Sequence, residues 1–451
     1  MTTATDAQLR PPRPGRAGRA ARRGLVGAIV LMTLAMVVPA VTGWNVRVNS
    51  FPPLHAEWMP RVGIVTVPAL LLALLSVRFA VDLAERLSWR LLLLATFVGG
   101  LAWMLALALV DGTSGIGDIL DSDYEYLQTA RATDDLPATL EEYVSRIGYD
   151  AEPNNWQVHI AGHPPGALTF FVALARLGLG SGLAAGFVVT VLAATTAVAV
   201  MLTVRVLGAE SLARRAAPFL VLGPTAIWQA VSADAMFAAV AAWGLAALAV
   251  AATRRSVVLS VVAGLLLGYC VMLSYGLPLL GVLALTVLWL GRSWFPVGFA
   301  AVAALVVVGS FHVFGFSYLE AIPAIRDRYF EGVGGRRPTT YWLWGGPAAL
   351  LFATGPLLGA ALGHALADWR GLGLAGSRSR VVLLLSGAAV ASVLLAIASQ
   401  MSKAEVERIW LPFVPWLLLS CALLPERWRR RGLALQVGFA LVVQHLLHTG
   451  W

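Results

Sequence analysis

Apolar runs about as long as a helix needs to cross a bilayer core recur along the whole chain, and short polar turns separate them. The pattern predicts spans at about 24–43, 62–80, 91–111, 183–205, 214–231, 235–253, 256–274, 276–291, 295–313, 345–367, 381–399, 410–424 and 433–450, about 13 in all. The expected fold class is therefore all-α, a polytopic transmembrane helix bundle. One segment departs from the pattern. "GALTFFVALARLGLG" (166–180) is short, and a full crossing there would invert every later loop. It reads as a half-helix or a tilted interfacial helix. Irregular backbone at membrane depth is tolerated where it lines a cavity or packs on protein, so this segment points towards a site.

Composition agrees. Of 451 residues 59% are hydrophobic and 13% charged, whereas a soluble domain carries about 25% charge. The net charge of +9 does not indicate nucleic acid, because the basic residues sit in short clusters between apolar runs. Clusters at Arg214 and Arg215, Arg254 and Arg255, Arg292, 370–380 and 427–431 can all face the cytoplasm at once, as the positive-inside bias requires. Residues 1–23 hold six arginines and three prolines and are expected to form a disordered cytoplasmic tail ahead of one transmembrane domain, 24–451. A secretory signal is the rival reading, but the following apolar run is too long and no small-x-small cleavage site is evident. Cys270 and Cys421 both lie in apolar segments far apart, which suggests buried free thiols and no disulfide framework.

This topology gives the outer face three polar pieces, 112–165, 315–345 and 399–408. The first opens with "GDILDSDYEY", carrying Asp118, Asp121, Asp123 and Glu125, continues through His159, and ends in "GHPPG" at His163. Acids at a helix start complement the macrodipole, which is the plain structural reading. The two prolines stop a helix and extend the chain before them, presenting His163 on a rigid elbow. The second piece contains Arg326, Arg328, Arg336 and Arg337, positive charge on the side where the bias disfavours it; an anionic headgroup or lipid-linked phosphate would account for it. The third, "SKAEVER", holds the sole lysine, Lys403, with Glu405, Glu407 and Arg408. It is either a self-paired interfacial turn or a phosphate anchor. Asp234, between two spans with almost no loop, needs a partner or water. Asp121, Asp123, His159 and His163 also leave room for a divalent ion.

An acidic motif after an outward helix, a polar loop, a "PP" elbow, an acid between two spans and a "SK…R…LP…P" helix together resemble the GT-C superfamily of polyprenyl-phosphate-sugar-dependent glycosyltransferases. The closest branch is that of protein O-mannosyltransferases and aminoarabinose transferases. The resemblance covers roughly 118–255 and 400–420; here the acid follows the third helix instead of the first, and "DSDYEY" stands for a "DE" pair.

The resemblance implies an integral membrane glycosyltransferase that moves a sugar, mannose in the commonest case, from polyprenyl phosphate to an acceptor hydroxyl with inversion. The active site would be extracytoplasmic and the N-terminus cytoplasmic, and the acceptor a glycan, lipid or protein. Asp123 or Asp121 would be the catalytic base and Asp234 the second acid. His163 would lie near the lipid phosphate, and Arg408 and Lys403 would stabilise it as it leaves; His159, Glu125, Arg336 and Arg337 are further substrate-binding candidates from the residues themselves. No cofactor is required by the sequence, and no nucleotide-binding loop is present. A transporter or flippase for a lipid-linked or anionic substrate is the main rival and would place charge at mid-span; a structural membrane protein is the second.

Overall fold

The computed structural model describes residues 14–48, 50–374 and 377–450 and is almost entirely helical. Among the described residues seven helices are long and apolar enough to cross a membrane: Ala17–Thr42, Thr66–Arg86, Trp89–Asp111, Gly182–Val206, Ala233–Arg254, Pro296–Val313 and Arg378–Ser399. The pair Thr339–Thr354 and Leu357–Ala367, bent by 108°, makes an eighth if it counts as one span. This is a membrane protein.

The other segments expected to span do not form long apolar helices: most are shorter or interrupted, and 433–450 falls in the helix Arg427–Leu446 and the strand Leu447–Thr449. Val257–Leu273 and Leu277–Leu290 are short apolar helices, and Gly166–Arg176 is the short segment anticipated at 166–180. The interruptions follow proline, which lacks the N–H a helix interior needs. The 214–231 region splits at Gly223–Pro224 into Glu210–Val221 and Thr225–Gln229. The 410–424 region, with Pro412 and Pro415, holds the short helix Val414–Leu418 and a 3-10 turn, Leu419–Leu423. Gly355 and Pro356 make the sharp bend, and Gly355 has φ +79.

The basic N-terminal segment differs from its expectation. Residues 1–13 lie outside the described residues, but from Pro14 the chain is helical and runs straight into the first span as Pro14–Thr42. Alanine and arginine are strong helix formers, and Ala17 and Ala21 are buried. Further along, Gly24 meets the backbone of Gly359 so closely that a Cβ would sit 2.1 Å from the Gly359 oxygen. Gly264 and Gly268 do the same for Val257–Leu273 against Pro296–Val313: a Cβ there would lie 2.2 Å from the Ala300 oxygen or 2.6 Å from the Ala304 Cα. Small residues four apart let membrane helices approach through van der Waals contact.

One end of the bundle carries the polar segments. The 112–165 loop is a stack of short helices, including Leu127–Ala132, Leu136–Glu141 and Val158–Gly162. Tyr143 ties it together, donating to the carbonyls of Ile160 (2.9 Å) and His163 (3.1 Å) and accepting on its own carbonyl from Trp156. Arg328, from helix Tyr318–Glu331, donates to Ile147 O (2.5 Å) and Trp156 O (2.8 Å) and is buried. It binds the second polar piece to the first. At the same end strand Ala56–Trp58 pairs antiparallel with Leu447–Thr449.

Candidate functional site

Three distant segments converge on Arg408, and Glu405 of its own turn joins them. Its Nη1 donates to Asp234 Oδ2 (2.9 Å), and its Nη2 to His159 Nε2 (3.0 Å) and Glu405 Oε2 (3.2 Å). Glu125 Oε1 lies 3.9 Å from Nη1 and accepts from His159 Nδ1 at 2.9 Å. A guanidinium only donates, so His159 Nε2 is the acceptor and its proton sits on Nδ1, directed at Glu125. Arg337 extends the network: it donates to Glu405 Oε1 (3.1 Å), His55 Nε2 (2.8 Å) and Lys403 O (2.5 Å). With neutral imidazoles the network holds three carboxylates, Glu125, Asp234 and Glu405, against two guanidiniums, Arg408 and Arg337. Glu125, His159, Asp234, Arg337 and Arg408 are all buried.

Local sequence explains each placement. Asp234 occupies the first turn of Ala233–Arg254, where an acid complements the helix dipole. Just before it Val231 has φ +55, and its N–H donates to Thr190 Oγ1 at 3.0 Å. A β-branched residue with positive φ is an outlier. Ala404 (φ +66) and Glu405 (φ +58) are two more left-handed residues, in the turn that directs Glu405 at both arginines. Such conformations cost about 1–3 kcal/mol each and persist where surroundings hold them. Here they flank one ionic cluster.

His163 stands on the expected elbow, with φ −130 and ψ 153 before Pro164, as a residue preceding proline should. Its Nδ1 contacts His159 O (2.7 Å) and Tyr126 Oη (2.9 Å). The carbonyl only accepts, so Nδ1 carries the proton. Gly166 allows the next helix to press on Met272, whose oxygen would be 2.4 Å from a Cβ there.

The electrostatics separate the carboxyls. Burial pushes Glu405 up, but Arg408 and Arg337 outweigh it and hold it at about 2. For Glu125 burial is again opposed, chiefly by His159 with Arg408, and the balance falls below the ordinary value. Glu407 is fully buried, neither oxygen makes a hydrogen bond of good geometry, and burial raises it to about 7. Burial lowers His55, His163 and Lys403, and it works against Arg408, whose acids nevertheless raise it.

The remaining sequence candidates make no ion pair with the Arg408 cluster among the described residues. Asp121 is bound by both terminal nitrogens of Arg131, Nη2 at 2.5 Å and Nη1 at 3.1 Å. Asp123 is exposed and accepts from Gln128 at 2.9 Å. Lys403 is buried; its Nζ lies 3.4 Å from the Arg337 carbonyl, and no carboxylate pairs with it among the described residues. Arg336, next to Arg337 in sequence, is exposed.

The four residues considered for a divalent ion are turned to separate partners. Asp121 faces Arg131, His159 lies between Glu125 and Arg408, His163 faces Tyr126 and Asp123 faces Gln128. Among the described residues no three His, Cys, Asp or Glu are gathered to hold a metal. Sequence reasoning passed over Glu405 as a site residue, although it stood in the quoted "SKAEVER"; it missed His55 entirely, which carries no motif.

No family model matches this chain, and no curated protein matches it. Among solved structures one similar chain is the oligosaccharyltransferase of Archaeoglobus fulgidus, in complex with zinc and sulfate. It is 13% identical with a TM-score of 0.39, over 77% of this chain and 51% of that one. The chain thus spans about half the length of that protein. At this level the likeness carries no argument about activity.

Proposed function

We propose that this chain is a membrane glycosyltransferase of the GT-C kind, moving a sugar from a polyprenyl-phosphate donor to an acceptor hydroxyl on the extracytoplasmic face. The observation that carries the reading is Lys403, a buried cation without an acid partner among the described residues, in the turn that leads into the Arg408 cluster. A desolvated ammonium with spare donors favours an anion, and charge-assisted bonds to phosphate are the strong ones.

The roles divide by availability. Arg408 already serves Asp234, His159 and Glu405, so the reading gives it the frame of the site and gives the phosphate to Lys403 and Arg336. Arg337 likewise holds Glu405 and His55. Both Asp121 oxygens are engaged by Arg131, whereas Asp123 is open to an acceptor, so the reading gives the base to Asp123. The acceptor oxygen attacks C1 as the bond from C1 to the phosphate oxygen breaks with its electron pair on the phosphate. The acceptor proton passes to the Asp123 carboxylate, and a single displacement inverts C1. Positioned acid–base groups of this kind contribute about 10²–10⁴-fold. Mannose is the first sugar to try; the acceptor is a glycan, a lipid or a protein. Charge gathered where spans begin, as with Asp234 in a first helical turn, weighs against a transporter, which needs it at mid-span.

Calorimetric titration of the purified chain with decaprenyl phosphate tests the phosphate site. The wild type is expected to bind and Lys403→Gln to bind about tenfold more weakly or worse, the size of a lost charged hydrogen bond. Equal binding by both, or none by the wild type, would remove the basis of the reading.

A further inference from the structure

At the opposite end of the bundle a cavity of about 550 Å³ is lined by Arg292, Arg378 and Arg380, with Trp289, Trp294 and Ser377. Its position follows from two helices. Arg378 starts the 22-residue helix Arg378–Ser399, after which the chain reaches Glu405 and Arg408. That helix is about 33 Å long. The 25-residue helix Gly182–Val206 begins against Gly117 and Asp121 and ends at Leu207 and Gly208, in the cavity wall. The cavity is therefore about one hydrocarbon thickness, roughly 30 Å, from the ionic cluster.

Its chemistry is one-sided. Among the described residues no aspartate or glutamate lines it, and none of its three arginines forms an ion pair. The nearby Glu210 is already held by Arg205 and Arg214. Trp289 and Trp294 are 53% and 58% exposed, and the Arg380 guanidinium lies 5.1 Å from the Trp289 ring centroid. Half-exposed tryptophans at the ends of membrane helices belong at headgroup level. Guanidinium groups give phosphate oxygens paired, directional hydrogen bonds.

We infer that this cavity binds the phosphate of an anionic glycerophospholipid from the leaflet opposite the ionic cluster. The arginines hold the phosphate and the tryptophans pack beside the glycerol. A basic pocket between spans, at the depth of the headgroups, suits that occupant.

Native mass spectrometry of the purified full chain, with phosphatidylglycerol, phosphatidylcholine or inorganic phosphate added, tests the assignment. The wild type should retain phosphatidylglycerol in preference to phosphatidylcholine. Arg378→Gln and Arg380→Gln should each weaken it about fivefold, and Arg254→Gln with Arg255→Gln, basic residues that do not line the cavity, should leave it unchanged. Each single variant is read alone if the pair fails to fold. Equal retention of both lipids, an equal loss in the Arg254 and Arg255 variant, or displacement by inorganic phosphate at matched concentration would overturn the inference.

Discussion

Arg408 and Asp234 meet at 2.9 Å across 174 positions of sequence, each side chain only 4% exposed. The contact pins the turn after one span to the first turn of another. Because Glu405 and the Glu125–His159 pair share the same guanidinium, losing the arginine strands several acids at once.

Arg408→Gln should therefore destabilise the fold by about 3–5 kcal/mol, the usual cost of breaking a buried pair from one side. Asp234→Asn should cost less, because it leaves Arg408 with Glu405 and His159. The double variant should be less damaged than the sum of the two. Thermal unfolding in detergent of the wild type, both singles and the double reads this directly, and strict additivity would contradict it.

Glu407 makes stability depend on pH with an unusual sign. Its folded value, about 7, lies above the ordinary 4.5, so between these values the folded state binds the extra proton. Its contribution is fully present below about pH 4.5 and is lost as pH rises through about 7. Glu407→Gln should remove that loss and stabilise the protein above neutrality by on the order of 3 kcal/mol. Glu405, held at about 2, works the other way: its contribution is present above 4.5 and fades as pH falls towards 2. Melting curves from pH 4 to 9 for the wild type and Glu407→Gln distinguish the two, and parallel curves would refute the first claim.

The lengths of the apolar runs made most of the long helices legible, and the prolines that break others could be read from the same residues, as Pro412 and Pro415 show. Lys403, Arg408 and Asp234 also stood out, because a charge beside an apolar run is costly. The choice among the acids of "DSDYEY" was not legible. Which of Asp121, Asp123 and Glu125 turns inward depends on short-helix geometry fixed by Tyr143, Trp156 and Arg328 from elsewhere. Likewise His159 and His163, one turn apart, face different partners, Arg408 and Tyr126. The partners of Glu405 include His55, about 350 positions away in sequence, and no local pattern announces that pairing.

Gly268→Val should separate the helices Val257–Leu273 and Pro296–Val313, since its Cβ would already lie 2.6 Å from the Ala304 backbone. A loss of about 1–3 kcal/mol is expected from overpacking. Gly281→Val, with no neighbour within 4 Å of an added Cβ, should lose clearly less. Equal melting temperatures for the two variants would contradict the close approach.

Arg328→Ala removes two bonds that hold the 112–165 loop, to Ile147 O and Trp156 O. The loop should become more sensitive to limited proteolysis between the Leu136–Glu141 and Val158–Gly162 helices, while the spans stay protected. A digestion pattern identical to the wild type would place the loop's stability elsewhere.

The most direct test of the account is sugar transfer. Membranes carrying the wild type, Asp123→Asn or Asp121→Asn at equal expression would be supplied with radiolabelled polyprenyl-phosphate sugars and envelope acceptors. The wild type should transfer sugar, Asp123→Asn should fall about 10²-fold or more, and Asp121→Asn should fall less. Undiminished transfer in Asp123→Asn would contradict the assigned base, and no transfer by the wild type from any donor would contradict the function itself.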